Sequence, residues 1–203
     1  FNDSLTNILD DLEHEKATVE HLASHDQLTG LPNMRVMQIK AEQAFAMAQR
    51  QQAKPALLFV DLDHFKEIND QFGHQTGDFL LQQVAKDLQS ILRVSDIIVR
   101  NGGDEFLIML THCGAPKDLL LVAEKICKTL SEPFQLTHGE CRISCSIGIA
   151  IYSDDGDDFE TLYRQADHAM YQVKKTGKNG YKIYEPSDSE SPTDHSGLSP
   201  TGH

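Results

Sequence analysis

The chain is poor in positive charge. Against 31 Asp and Glu stand 18 Lys and Arg, giving 203 residues a net charge of −13 with His neutral. Non-specific binding to nucleic acid needs a basic face, so that class is excluded. A nucleoside triphosphate carried with Mg²⁺ is not excluded, because the cation supplies the positive charge and carboxylates supply its ligands. Long apolar runs are also lacking: none approaches a membrane span, and no signal peptide is expected within these residues. Cys is sparse, at 113, 127, 141 and 145, with no C-x-x-C pair. Cys141 and Cys145 alternate with Ile143, Ile147, Ile149 and Ile151, which marks them as small core residues of a strand rather than zinc ligands or disulfide halves. Reduced thiols fit a cytoplasmic domain. No internal repeat is visible. The first residue is Phe1 rather than Met, so the chain is expected to be cut from something longer.

What is present reads as three regions. Residues 1–24 carry a heptad pattern, with Leu5, Leu12 and Val19 at one seam position and Leu9, Lys16 and Ala23 at the other. This predicts a helical, coiled-coil-like stalk; the alternative is an amphipathic helix packed on its own domain. Residues 25–184 alternate helical and extended patterns and predict one mixed α/β (α+β) domain, a sheet covered by helices. Residues 185–203 are mostly Ser, Pro, Asp, Thr, Gly and His and predict a disordered tail.

Within the domain, the turn His25–Asn33 contains Gly30 and Pro32, and Asn33 can cap the helix that follows. Ala56–Val60 is a continuous apolar run, expected as a buried central strand. It stops at Asp61-Leu62-Asp63-His64-Phe65-Lys66, where Asp63 is the expected N-cap of a helix from about His64 to Gln71. Gly73–Asp78 reads as a turn, with helices predicted over about 78–92, 117–130 and 159–175. A strand is predicted over about 141–152, and Tyr181–Tyr184 as a last short strand.

Between the first and second of those long helical stretches lies Arg100-Asn101-Gly102-Gly103-Asp104-Glu105-Phe106, flanked by Ile97–Val99 and Leu107–Leu110. Strand, Gly-rich turn and strand predict a β-hairpin. Glycines at its tip allow positive φ and leave backbone bare, and two acids follow at once. Asp61, at the end of a buried strand, is a second acidic site. Carboxylates on such rigid platforms are costly unless they meet a cation. A Mg²⁺ site made from one or two carboxylates and phosphate oxygens uses few protein ligands in this way.

The stretches Asp61–Asp70, Gly73-His74, Gly77-Asp78 and Arg100–Phe106 resemble the GGDEF family of diguanylate cyclases. His25-Asp26-x-Leu28-Thr29-Gly30-Leu31-Pro32-Asn33, Ser146-Ile147-Gly148, Ala166-Asp167-x-Ala169-Met170-Tyr171 and Lys174-x-x-Gly177-Lys178-Asn179 extend the match in order across about residues 25–184. The resemblance implies a mostly antiparallel sheet like that of nucleotidyl cyclases and polymerase palms. It also implies synthesis of cyclic di-GMP and two pyrophosphates from two GTP. Asp61, the Leu62 carbonyl, Asp104 and Glu105 would hold Mg²⁺, or Mn²⁺ in its place. Asp104 would be ligand, base for the ribose 3′-hydroxyl, or both, with Glu105 and Lys66 assisting. Asn69 and Asp78 would read guanine; Asp offers two acceptors to its N1–H and exocyclic amine, a donor pair adenine lacks. Phe65, Gly102, Gly103, Lys174 and Lys178 would complete the substrate site.

One GTP per domain makes a homodimer part of the expected mechanism, with an upstream sensor domain in the longer protein. Arg93-Val94-Ser95-Asp96 stands where the family has its inhibitory site for product, with Lys125 a further candidate; an ordinary surface pair is the alternative. The chain departs from the family at Lys178, where Arg is more common, and at Met34. The rival reading is a non-catalytic GGDEF domain that binds GTP or cyclic di-GMP as a regulatory module.

Overall fold

The computed structural model describes residues 23–51, 53–113, 115–136 and 139–186. The predicted stalk, but for residues 23–24, and the predicted tail from 187 on lie outside them. The elements are α1 (Met34–Gln51), β1 (Lys54–Asp63), α2 (Phe65–Phe72), α3 (His74–Ile91), β2 (Ile97–Gly102) and β3 (Glu105–Cys113). They continue with α4 (Pro116–Leu130), β4 (Phe134–Leu136), β5 (Gly139–Cys141), β6 (Ser144–Ile151), α5 (Phe159–Lys175) and β7 (Gly180–Ile183).

Five strands form one sheet in the order β2-β3-β1-β6-β7, antiparallel except for the β6–β7 pair. β1 is central because its side chains are apolar on both faces, as a doubly covered strand requires. Ala56, Leu58, Val60 and Leu62 face a core shared with α2, α3 and α4, while Leu57 and Phe59 face one shared with α1 and α5. The alternating series from Cys141 to Ile151 is buried against the first of these cores, and all four Cys are free thiols. Gly148 lets α5 lie directly on β6: a Cβ there would strike the Ala166 carbonyl and the Met170 amide, both backbone and unable to yield.

Several expectations are corrected. The strand expected over 141–152 is split into β5 and β6, with β4–β5 a separate two-stranded ribbon. The Gly73–Asp78 segment is not a turn throughout, since α3 begins at His74. Asp63 is not the cap of α2. That position belongs to His64, in left-handed conformation with φ 62° and without a side-chain cap bond. Asn33 does cap α1, accepting from the Val36 amide at 3.3 Å.

Candidate active site

Three segments from different parts of the chain meet at one end of the sheet. β1 ends in Asp61, Leu62 and Asp63, all buried. β2 and β3 form the hairpin, with a bulge between Arg100 and Gly102, and set Glu105 opposite Asp61 in the β1 register. The Leu62 amide donates to the Asp104 carbonyl at 3.2 Å, which ties the tip to the end of β1. Gly102 and Gly103 have φ of 142° and 52°, and a Cβ on either would meet nothing within 4 Å. The tip therefore offers bare backbone to open space, as a bound nucleotide needs. The third segment is the end of α5, which brings Lys174 within 2.7 Å of the Asp61 carboxylate.

A cleft of about 280 Å³ lies between them. Asp61, Asp104, Lys66, Lys174 and Lys178 line it, as do Leu62 and Phe65, so seven of the residues singled out from the sequence converge there. Glu105 does not line the cleft. It accepts from the Asn101 amide at 2.7 Å, and the same Asn101 nitrogen lies 3.0 Å from the Tyr163 hydroxyl.

Asp61 sets the electrostatics. Burial pushes its carboxyl up, Lys174 opposes this, and the nearby Asp104 and Glu105 charges push further, leaving it at about 6. An acid held this way gains from a second cation. Among the described residues no group of three or more His, Cys, Asp or Glu side chains is placed to hold a metal ion. Two carboxylates completed by a backbone carbonyl and substrate phosphate oxygens is a donor set that suits Mg²⁺, which keeps few protein ligands. Asp61, Leu62 and Asp104 thus fit that ion, whereas a site built from side chains alone does not form.

Beyond the cleft, Asn69 on α2 is half-buried and its Oδ1 is a buried acceptor without a partner. Such a group costs about 1–3 kcal/mol unless something donates to it. Asp78 is exposed in the first turns of α3, and Gly77 beside it packs so closely that a Cβ would strike Asn69 Oδ1.

At the start of β2, the end away from the hairpin tip, Arg93 and Asp96 line a second cleft of about 350 Å³, together with Lys40 of α1. Lys125 is exposed on α4 and is not part of that lining. Asp96 accepts from the Arg93 amide at 3.1 Å and from the Thr111 amide at 3.3 Å.

Sequence reasoning missed the groups that hold these segments together. The Asp63 carboxylate accepts from Ser144, Ser146 and the Asn179 amide, and His64 joins Glu67 to Lys178. The only sequence signal was an acid at the end of an apolar run, which is equally the signal of a helix cap.

This geometry has close relatives. Residues 23–180 match the family model described as diguanylate cyclase, GGDEF domain, and the chain belongs to that family. It is 46% identical over 166 residues to the bifunctional diguanylate cyclase/cyclic di-GMP phosphodiesterase MucR of Pseudomonas aeruginosa, covering 82% of this chain and 24% of that protein. A solved GGDEF domain of TpbB from the same species superposes with a TM-score of 0.78 at 36% identity, covering 81% of this chain and 96% of that one. The coiled coil and GGDEF domain of DgcB from Caulobacter crescentus, solved with c-di-GMP, gives 0.80 at 27% identity over 89% of this chain and 95% of that one. The chain spans about a quarter of MucR and 41% of full-length TpbB.

Proposed function

We propose that this GGDEF domain condenses two GTP into cyclic di-GMP and two pyrophosphates. The observation that carries the reading is the convergence of Asp61, Asp104 and three Lys side chains on one cleft beside a bare Gly-Gly tip. Phosphodiester formation is an in-line attack by a ribose 3′-oxygen on an α-phosphorus, and its catalysis is mostly positioning and charge neutralisation. Mg²⁺ or Mn²⁺ held by Asp61, the Leu62 carbonyl and Asp104 would lower the 3′-hydroxyl's pKa and neutralise charge on the departing pyrophosphate.

The chain's own groups account for the rest. Asp104 lies at the tip where it can accept the 3′-proton. Lys66 and Lys178 give the triphosphate positive charge from the two sides of the cleft, and Lys174 balances Asp61. Asn69 and Asp78 read the guanine edge; the unpartnered Asn69 Oδ1 awaits a donor such as the guanine amine. Gly102 and Gly103 leave room for ribose and α-phosphate, and Phe65 forms the floor. Glu105, held by Asn101, acts from behind Asp61. One cleft holds one GTP, so each 3′-hydroxyl attacks the nucleotide of a second copy and the active form is a homodimer. Arg93 and Asp96 form the product-binding inhibitory site, with Lys40 rather than the expected Lys125 as the second cation of its cleft, and an upstream sensor domain governs dimer formation.

The test is incubation of the protein with GTP and Mg²⁺ at rising protein concentration, followed by chromatography of the nucleotides. Cyclic di-GMP should form with a rate per molecule that increases with concentration, and Asp104→Ala should abolish it. Binding of GTP or cyclic di-GMP without turnover would instead identify a regulatory module. Full activity in Asp104→Ala would overturn the site assignment.

A further inference from the structure

The two turns that close the phosphate end of the cleft grip each other. One is Asp63-His64, between β1 and α2; the other is Thr176–Asn179, between α5 and β7. Both are held in backbone conformations their residues resist. His64, Lys178 and Asn179 have φ of 62°, 64° and 47°, and among the described residues Ser153 is the one other non-glycine residue with positive φ. Left-handed backbone costs a non-glycine residue about 1 kcal/mol or more, so it persists where surrounding contacts enforce it.

Those contacts are present. α5 ends with the Lys178 amide reaching back to the Val173 carbonyl at 3.0 Å, after which the helix can no longer hold the chain. The next amide, of Asn179, donates to Asp63 Oδ2 at 3.0 Å. Asp63 is itself fixed, only 2% exposed, by the Ser144 and Ser146 hydroxyls, each at 2.7 Å. Both serines sit on β6, so the carboxylate is braced by the sheet and transmits that rigidity to the turn. A second contact runs alongside: Lys178 Nζ lies 3.3 Å from His64 Nε2, while His64 Nδ1 lies 2.6 Å from Glu67.

We propose that Asp63 is a positioning residue for Lys178, using its bonds to Ser144, Ser146 and the Asn179 amide to hold the α5–β7 turn so that the Lys178 ammonium faces the terminal phosphates of a nucleoside triphosphate. The inference rests on the reading of the cleft as a GTP site and adds to it a residue outside the reacting atoms. A buried acid braced this way has a purpose that a solvent-exposed cap would not. Lys lacks the planar fork of Arg, so a lysine in this place depends more on its backbone being fixed.

The test uses the full chain and the Asp63→Ala variant. The methyl group removes both carboxylate oxygens, so the Asn179 amide and the Ser144 and Ser146 hydroxyls lose their common acceptor. Binding is measured by calorimetry with Mg²⁺ and 3′-deoxy-GTP, which has no attacking hydroxyl, and separately with GMP, which has no terminal phosphates. Asp63→Ala should weaken 3′-deoxy-GTP about tenfold and leave GMP within about twofold, as Lys178→Ala should, and the double variant should be no worse than Lys178→Ala alone. Equal weakening of both nucleotides, unchanged 3′-deoxy-GTP binding, or fully additive losses would overturn the proposal. Hydrogen exchange at the Asn179 amide of the unaltered protein tests the clamp even if Asp63→Ala fails to fold or the protein turns over no GTP. Exchange at least about 100-fold slower than in a free peptide is expected; exchange at the free-peptide rate would refute the clamp. Failure of wild type to bind 3′-deoxy-GTP at all would instead count against the GTP site itself.

Discussion

Arg100 joins Asp26 to the Gly102-Gly103 hairpin tip. Its guanidinium reaches Asp26 Oδ2 at 3.2 Å and, through Nε and Nη2, the Gly103 carbonyl at 3.0 and 2.8 Å. Asp26 in turn is fixed by the Thr29 amide and hydroxyl. The His25–Asn33 turn is also tied backwards, with the Asn33 side chain donating to the Ala23 carbonyl at 2.8 Å. The Gly-Gly tip, which has no side chains of its own to brace it, is thus held from a turn far away in sequence. That turn directly follows the segment expected from the sequence to form the stalk.

Asp26→Asn should therefore loosen the tip. Burial pushes the Asp26 carboxyl up, but the Thr29 hydrogen bonds and Arg100 outweigh it and hold the group below its usual value. Such a depressed group stabilises the fold above its unfolded value of 3.8 and loses that contribution as pH falls through its folded value. Wild type should exceed Asp26→Asn in stability by about 1 kcal/mol at pH 7, with the gap closing below about pH 4 in denaturant titrations. Cyclic di-GMP synthesis should fall about tenfold, more than so small a loss of stability explains. Unchanged activity would show that the tip is rigid without Asp26.

Asp61 offers a case where stability and activity oppose each other. Its side chain is 8% exposed, with one ammonium partner and two further carboxylates nearby. Asp61→Asn should raise the stability of the metal-free protein by about 1–2 kcal/mol at pH 7 while abolishing turnover. The sign follows from the raised value of about 6 against 3.8: the favourable contribution of the wild-type carboxyl is complete below pH 3.8 and is lost as pH rises through 6. The variant's advantage should accordingly shrink on acidification from neutral pH to about pH 4. Saturating Mg²⁺ and GTP should reverse the ranking in thermal melts, because ligand stabilises wild type alone.

Local signals made much of this molecule legible from its sequence. The buried run before Asp61, the Gly-rich tip between two apolar strands and the alternation at Cys145, Ile147, Ile149 and Ile151 all reappear as expected. What escaped depends on partners far away. Asp63 before a helix looks like a cap, and only folding brings it to Ser144, Ser146 and Asn179, 81 to 116 residues on. Gly77 looked like part of a turn because nothing nearby in sequence says that Asn69 needs the space a Cβ would fill. The split between β5 and β6 was hidden because Cys141 and Ile143 are buried in the same core as β6, so the burial pattern continues where the sheet pairing does not.

Gly77 allows helix stability to be tested apart from the proposed role of Asn69 at the guanine edge. It lies inside α3, where Ala is favoured by about 1 kcal/mol on propensity alone. A Cβ there would strike Asn69 Oδ1 and approach Phe65 Cζ to 3.1 Å, so Asn69 must turn away. Gly77→Ala should leave the melting temperature within a few degrees of wild type. The KM for GTP should rise about tenfold, the worth of one hydrogen bond from a buried acceptor. A variant with unaltered KM would remove Asn69 from the guanine site.

The Arg93–Asp96 pair can be divided by substitution, because its two side chains have different surroundings. Asp96 closes the turn between α3 and β2 and binds the β3 backbone at Thr111, which gives it a structural task whether or not product binds. The exposed Arg93 lies on the wall of the cleft that includes Lys40, where a dianionic ligand would find two cations in a chain of net charge −13. Asp96→Ala should cost about 1–2 kcal/mol of stability through two unpaired amides. Arg93→Ala should leave stability within about 0.5 kcal/mol, since it removes an exposed side chain. Its effect should appear in product inhibition, with the concentration of cyclic di-GMP needed for half-inhibition raised about tenfold or more and the initial rate at low product unchanged. An inhibition curve identical to wild type would make Arg93 a surface residue and leave Asp96 as the sole reason for the motif's spacing.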